Sequence, residues 1–527
     1  MQSSLRKCHL DKQLLRHCRL GSTLTKRVFE TNHWITKSIP GSFDSNTFEA
    51  PDSAIDADLK TPGSFRLAIK DNIATGVLST TCASRILEGY TSPFEATIVA
   101  QLRARNGVIV GTTNMDEFGM GSHSVNSAFG PVINGTSTTT EPRSAGGSSG
   151  GSAVAVQVGE ADVALGTDTG GSVRLPAAYT GVVGLKPSYG MISRYGVVPY
   201  ANSLDTVGLL APQIDPIYRL LFEHGIYLEH DPKDPTSLSV ATRQRCAKSH
   251  GSPPASLADA MPRHPHKITI GIPLEYNVDE LDPRIRATWM AAAEAIETWG
   301  ARVVPVSLPS TRHALSAYYI IAPAEASSNL AKYDGVRYGK NDYSTIDESK
   351  TKTLYADTRR AGLGPEVRRR ILLGAYSLSS KAMDNYFIQA QRVRRGVQRD
   401  FDRVFALPNP LYTTKPFDLS EMGDDVVLDN KLGPPQVDFL LVPTAPTFAP
   451  RLDEVFTQPP TAAYANDVFT VPASLAGLPA VNVPVKAQGE GTDEGHNVVG
   501  LQLIAQFWND ARLLGMAQQL AKIMSSL

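Results

Sequence analysis

Cysteine is scarce in this chain, four residues in 527, and Cys8, Cys18, Cys82 and Cys246 are too scattered for a disulfide framework or a Cys/His metal site. No run of about 18 apolar residues occurs, which excludes a membrane-spanning helix and argues against a membrane partner. The phosphate-cradling Gly-x4-Gly-Lys-[Ser/Thr] loop is missing, so this chain is expected to use no ATP itself. An excess of charge is lacking too: 51 Lys+Arg stand against 52 Asp+Glu, without the aromatic-basic interleaving that marks direct RNA binding. The histidine contexts, His123, His224, His230, His264 and His266, bring no recognisable orienting carboxylate for a Ser-His-Asp arrangement.

Glycine and serine, by contrast, are concentrated between Arg143 and Ala177. One cluster reads Gly146-Gly147-Ser148-Ser149-Gly150-Gly151-Ser152, the other Gly166-Thr167-Asp168-Thr169-Gly170-Gly171-Ser172-Val173-Arg174. Runs of this composition are most often flexible linkers. Here they alternate with the apolar stretches 154–156 and 163–165, and successive glycines before a hydroxyl suit a turn whose backbone N–H groups converge on one cavity. A serine nucleophile needs a base. Lys70 closes the apolar run Phe65-Arg66-Leu67-Ala68-Ile69, where burial would lower its pKa. On the motif alone, a surface ion pair with Asp71 remains an equal reading.

Taken together, these three motifs resemble the amidase signature family. The resemblance implies a Ser-cisSer-Lys triad with Lys70 as base, Ser148 as bridging serine after a cis peptide bond and Ser172 as nucleophile. It also implies an oxyanion hole from the backbone amides of Thr169, Gly170, Gly171 and Ser172. The implied fold is α/β with a large mixed central sheet and helices on both faces. Residues 111–122, 318–330, 334–339, 366–371 and 464–467 are similar to the glutaminase subunits of glutamyl-tRNA(Gln) amidotransferases within that family.

That similarity implies glutamine as substrate. A zwitterion needs a cation and an anion held away from water. By motif position Arg370 would take the α-carboxylate, Asp467 the α-ammonium and Tyr318 a hydroxyl contact. Read singly, Arg370 in the run 368–370 fits a solvated helix face, and Asp467 fits a helix N-cap. The resemblance further implies a second, kinase/transamidase subunit that uses ATP and Mg2+, a small clamp subunit, and tRNA bound through the heteromeric complex, with no cofactor in this chain. A stand-alone amidase acting on a small amide is the alternative reading.

Secondary structure reads as βα units. Strands are expected at 267–272, 302–306, 439–442 and 498–504, with a helix from Asp282-Pro283 to Gly300 and another over 510–523. Residues 46–527 are expected to form the amidase signature domain, with a polar, Pro-containing surface loop inserted near 241–266. Residues 1–40 carry eight Lys/Arg against Asp11 and Glu30. The segment 1–45 therefore resembles a mitochondrial transit region, a basic docking helix being the other reading. Thr112 stands where lysine is common in the similar subunits.

Overall fold

The computed structural model describes residues 31–37, 62–137, 141–340, 355–412, 436–488 and 497–527. Most of the basic segment 1–45 lies outside them. Eleven strands form one mixed sheet in the order β1-β3-β2-β4-β6-β5-β10-β11-β9-β7-β8. They are β1 Trp34–Lys37, β2 Phe65–Lys70, β3 Gly107–Thr113, β4 Val163–Asp168, β5 Val183–Lys186, β6 Thr206–Ala211, β7 Thr269–Pro273, β8 Arg302–Val306, β9 Phe439–Pro443, β10 Ala480–Lys486 and β11 Val498–Ala505.

Successive side chains of a strand point to opposite faces, and both faces here are apolar. Leu67, Ile69, Leu165 and Leu209 enter the main core, while Ala68, Ala164 and Leu210 enter a second cluster. Helices cover each face. Helix α1 (Gly150–Gln157) brings Ala153, Ala155 and Val156 to the second cluster. The main core takes Leu513, Leu514 and Ala517 from the carboxy-terminal helix Asp510–Ser525. The small residues of α1 permit close approach: a Cβ on Gly151 would lie 2.3 Å from the Asn114 carbonyl oxygen. The Gly/Ser clusters are thus packed structure.

Local signals placed the outer elements. The Asp282 side chain caps the helix Pro283–Trp299 by accepting from Arg284 N, Gly300 ends it in the left-handed conformation, and Ile285, Trp289, Ala293 and Ile296 are buried. Two expectations are corrected. Residues 241–266 begin as a helix, Val240–His250, capped by Ser239. It seats Arg243 in the body, the guanidinium donating to the carbonyls of Leu238 at 2.8 Å and Met191 at 3.0 Å. Within 1–45, Trp34–Lys37 belongs to the sheet edge, antiparallel to β3, and Lys37 pairs with Glu160 at 2.7 Å. No helix among the described residues is long and apolar enough to cross a membrane.

Candidate active site

Parallel neighbours β2 and β4 end side by side, which sets Lys70 beside Thr167 and opens the chain after Asp168 into the second Gly/Ser cluster. Lys70 is fully buried, and the surface ion pair with Asp71 does not form: the Asp71 carboxylate accepts from Thr81 N at 3.0 Å and Ala83 N at 3.1 Å. Lys70 Nζ lies 2.7 Å from Ser148 Oγ, 2.8 Å from Ser149 Oγ and 2.9 Å from Thr167 Oγ1. Burial lowers its pKa to about 7, against the opposing charges of Asp116, Asp168 and Asp205. Near neutral pH a large share of the lysine is therefore an uncharged amine.

The contacts orient that amine. Ser149 Oγ gives its own proton to the Thr167 carbonyl, and Thr167 Oγ1 accepts also from Asn72 Nδ2 at 3.1 Å. Both oxygens therefore accept from Lys70. The two amine hydrogens are taken, and the lone pair is left for the Ser148 hydroxyl. Exposure rises from 0% at Lys70 through 1% at Ser148 to 9% at Ser172. The Gly147–Ser148 peptide is cis.

Two carboxylates hold these loops. Asp116 accepts from Ser124 N at 2.8 Å and Asn126 N at 3.0 Å, while its own amide donates to the Ser148 carbonyl. Asp168 takes a two-pronged contact from fully buried Arg174, Nε at 3.0 Å and Nη2 at 2.9 Å. Arg174 also reaches the Thr470 carbonyl and Gln502 Oε1. This pair spans the Ser172 turn, and Ser149 N donates to the Ser172 carbonyl at 3.0 Å, joining the two Gly/Ser clusters. Among the described residues, the amides of Thr169, Gly170, Gly171 and Ser172 donate no backbone hydrogen bond. Four consecutive unspent N–H groups suit an oxyanion.

Tyr318, Arg370 and Asp467 converge beside that turn. Tyr318 is buried, and a Cβ on Gly170 would lie 2.5 Å from its ring. Arg370 sits on helix α2 (Pro365–Ser377), which buries Glu366, Val367, Arg370, Gly374 and Ser377 along one face. Arg368 is exposed on that helix and Arg370 is not, so the helix-face reading fails for Arg370. Its Nε donates to Glu366 at 2.8 Å and its Nη1 to Tyr200 OH at 2.8 Å, and its guanidinium lies over the rings of Tyr200, Tyr319 and Tyr464.

Asp467 accepts from Tyr319 OH at 2.7 Å and Ser122 Oγ at 3.2 Å, and burial raises its pKa to about 7 despite Arg370. It is no N-cap: its side chain faces this cage. A cleft of about 230 Å³ lined by Ser122, Glu366, Arg370 and Tyr464 reaches the same place. His123, near it, is held neutral by burial with its pKa about 4 and meets Ser144 and Asn466. No motif in the sequence assigned a role to Ser149, Thr167, Asn72, Asp116, Tyr200, Tyr319 or Glu366. The i, i+4 spacing of Glu366 and Arg370 was the one local signal among them.

A family model described as Amidase matches residues 66–514. The chain is 63% identical over 456 residues to the mitochondrial glutamyl-tRNA(Gln) amidotransferase A-subunit of Fusarium vanettenii, covering 86% of each chain. It is 55% identical over 514 residues to the protein of the same description from Pyricularia oryzae, covering 95% of each. Among solved structures, the glutamyl-tRNA(Gln) amidotransferase A-subunit from Thermotoga maritima superimposes with a TM-score of 0.64 at 33% identity, over 86% of this chain and 81% of that one.

Proposed function

The chain belongs to the amidase family, and from that premise we propose that it is the glutamine-hydrolysing subunit of a mitochondrial glutamyl-tRNA(Gln) amidotransferase. One observation carries the substrate: a buried cation, Arg370, and a buried anion, Asp467, flank the same tyrosine, Tyr319, beside the nucleophile turn. A pocket for a plain aliphatic amide needs neither charge. A free amino acid needs both.

In this mechanism Lys70 takes the Ser148 proton while Ser148 takes that of Ser172, whose Oγ attacks the glutamine side-chain carbonyl carbon. The amides of residues 169–172 stabilise the oxyanion, typically by about 3 kcal/mol per donor. Collapse breaks the C–N bond, the relay returns its proton to the departing nitrogen, and ammonia leaves a glutamyl ester on Ser172. Water, deprotonated through the same relay, then releases glutamate. The kinase/transamidase subunit would consume the ammonia after activating the tRNA-borne glutamyl group with ATP and Mg2+. A small clamp subunit and tRNA contact through the complex complete the reading.

The experiment compares glutamine with propionamide as substrate. Hydrolysis favouring glutamine, with the preference lost in Asp467→Asn, supports the proposal. Propionamide hydrolysed by the partner-free chain as efficiently as glutamine would point to a stand-alone amidase.

A further inference from the structure

Residues 122–124 run between the Ser148 loop and the turn that carries Asp467. Ser122 Oγ donates to Asp467 at 3.2 Å. Ser124 Oγ accepts from Gly150 N at 3.0 Å and donates to the Ser148 carbonyl at 3.4 Å. A Cβ on Gly147 would lie 2.7 Å from His123 N, so this backbone presses on the residue before Ser148. Between the two serines stands His123, a buried histidine for which the proposed relay has no use.

The partners of its ring fix its tautomer. Asn466 turns its side-chain oxygen to the Tyr179 hydroxyl at 3.5 Å and its nitrogen to His123 Nε2 at 3.0 Å. An amide nitrogen only donates, so Nε2 is the acceptor and carries no hydrogen. Nδ1 therefore holds the ring proton and gives it to Ser144 Oγ at 2.9 Å. Ser144 Oγ accepts a second hydrogen from Gly146 N at 3.0 Å and donates its own to the His123 carbonyl at 3.3 Å, which spends the whole hydroxyl. The ring of Tyr179 stacks on the imidazole, 6.5 Å away and within 19° of parallel. Burial keeps the imidazole neutral, with its pKa about 4. Both ring nitrogens are committed inside the protein, which takes His123 out of proton transfer with a substrate.

Those two partners belong to opposite sides of the cage. Ser144 holds Gly146 N, where the run Gly146-Gly147-Ser148 begins. Asn466 directly precedes Asp467 in the turn Ala462–Asp467, 343 residues from His123. One rigid ring thus spans from the relay serine to the carboxylate that faces the cleft.

We propose that His123 is a positioning residue, a neutral bridge that holds Ser144 and the Ser148 loop in register with Asn466 and the adjoining Asp467. The proposal rests on the reading of this cleft as a glutamine site. The test measures ammonia release from glutamine and from propionamide by the complex purified from co-expressed subunits, in variants that each keep half of the bridge. Asparagine sets an amide near the place of Nδ1, and glutamine sets one near that of Nε2. His123→Asn keeps the donor to Ser144 and should raise the glutamine KM roughly 2- to 10-fold, the worth of one neutral hydrogen bond, with kcat nearly unchanged. His123→Gln keeps the acceptor for Asn466 and should lower kcat about 10-fold with KM nearly unchanged, because the relay serine is displaced. The double variant His123→Asn/Asn466→Ala should be no worse in KM than the poorer single variant, since both remove one shared contact.

Unaltered kinetics in both His123 variants, the same proportional loss of kcat and kcat/KM in both, or additive KM effects in the double variant would overturn this proposal alone. So would a collapsed thermal midpoint with loss of activity in both, which makes the ring merely structural. Propionamide hydrolysed by the unaltered complex as efficiently as glutamine overturns the glutamine reading, and this proposal with it.

Discussion

Lys70, when neutral, has two hydrogens to give, and Ser149 and Thr167 stand ready to accept them. This fixes the direction of the relay, and it predicts how the relay fails. In Thr167→Val one hydrogen loses its acceptor, so kcat for glutamine should fall by tens of fold with KM nearly unchanged. The same change removes an oxygen that favours the ammonium, so the acid limb of the pH profile should move to lower pH; an unmoved limb would make Thr167 merely structural. In the unaltered enzyme both Lys70 and Asp467 lie near pKa 7; Asp467 must be ionised to hold the substrate ammonium, and Lys70 must be neutral to take the Ser148 proton. A plot of log kcat/KM should therefore fall below pH 7 with a slope approaching two. In the bound complex the substrate ammonium holds Asp467 ionised, so log kcat should fall with a slope of one, from Lys70. Lys70, Ser148 and Ser172 could be singled out because each sits in a contiguous motif. The contacts of Thr167 with Asn72 and with Lys70 cross 95 and 97 residues and leave no local pattern in the sequence.

Helix α2 turns one arginine of three inward, and its register sets Arg370 against Tyr200, Tyr319 and Tyr464. Arg370→Gln should raise the glutamine KM roughly 10- to 100-fold, the worth of a charge-assisted hydrogen bond, with kcat changed less. Equal loss of kcat and kcat/KM would place Arg370 in the transition state rather than in binding. On β3, the hydroxyl of fully buried Thr112 has no hydrogen-bond partner among the described residues. Thr112→Val keeps the shape and removes an unsatisfied group, so the apparent thermal midpoint should rise, by about 1 kcal/mol or more of stability; a fall in the midpoint would reveal a polar contact there. At this scale the sequence was readable wherever Asp, Pro and Gly punctuate, as from Asp282 to Gly300. It is less readable at Val240–His250, where Pro253 and Pro254 point to a loop but follow the helix, which Ser239 caps. Basic composition likewise hid the edge strand Trp34–Lys37.

Across the whole molecule, two parallel strands bring Lys70 and the Ser172 turn together, while helix α2 and the Ala462–Asp467 turn bring in Arg370 and Asp467 from far along the chain. The α/β class followed from alternating elements, and the two-faced apolar strands explain it. Strand order was not legible: β10 inserts between β5 and β11, a pairing across some 300 residues set by packing rather than by local sequence. Under the proposed function, Ser172 is the residue that releases ammonia from glutamine for a partner that amidates glutamyl-tRNA(Gln). The most direct measurement uses the purified complex, ATP, glutamyl-tRNA(Gln) and glutamine labelled with 15N at the side-chain amide, comparing the unaltered chain with Ser172→Ala. The predicted result is 15N in the glutaminyl-tRNA formed by the unaltered complex. None is predicted from Ser172→Ala, which should still form the product when given ammonium chloride. Retention of glutamine-dependent amidation in Ser172→Ala would contradict the assignment.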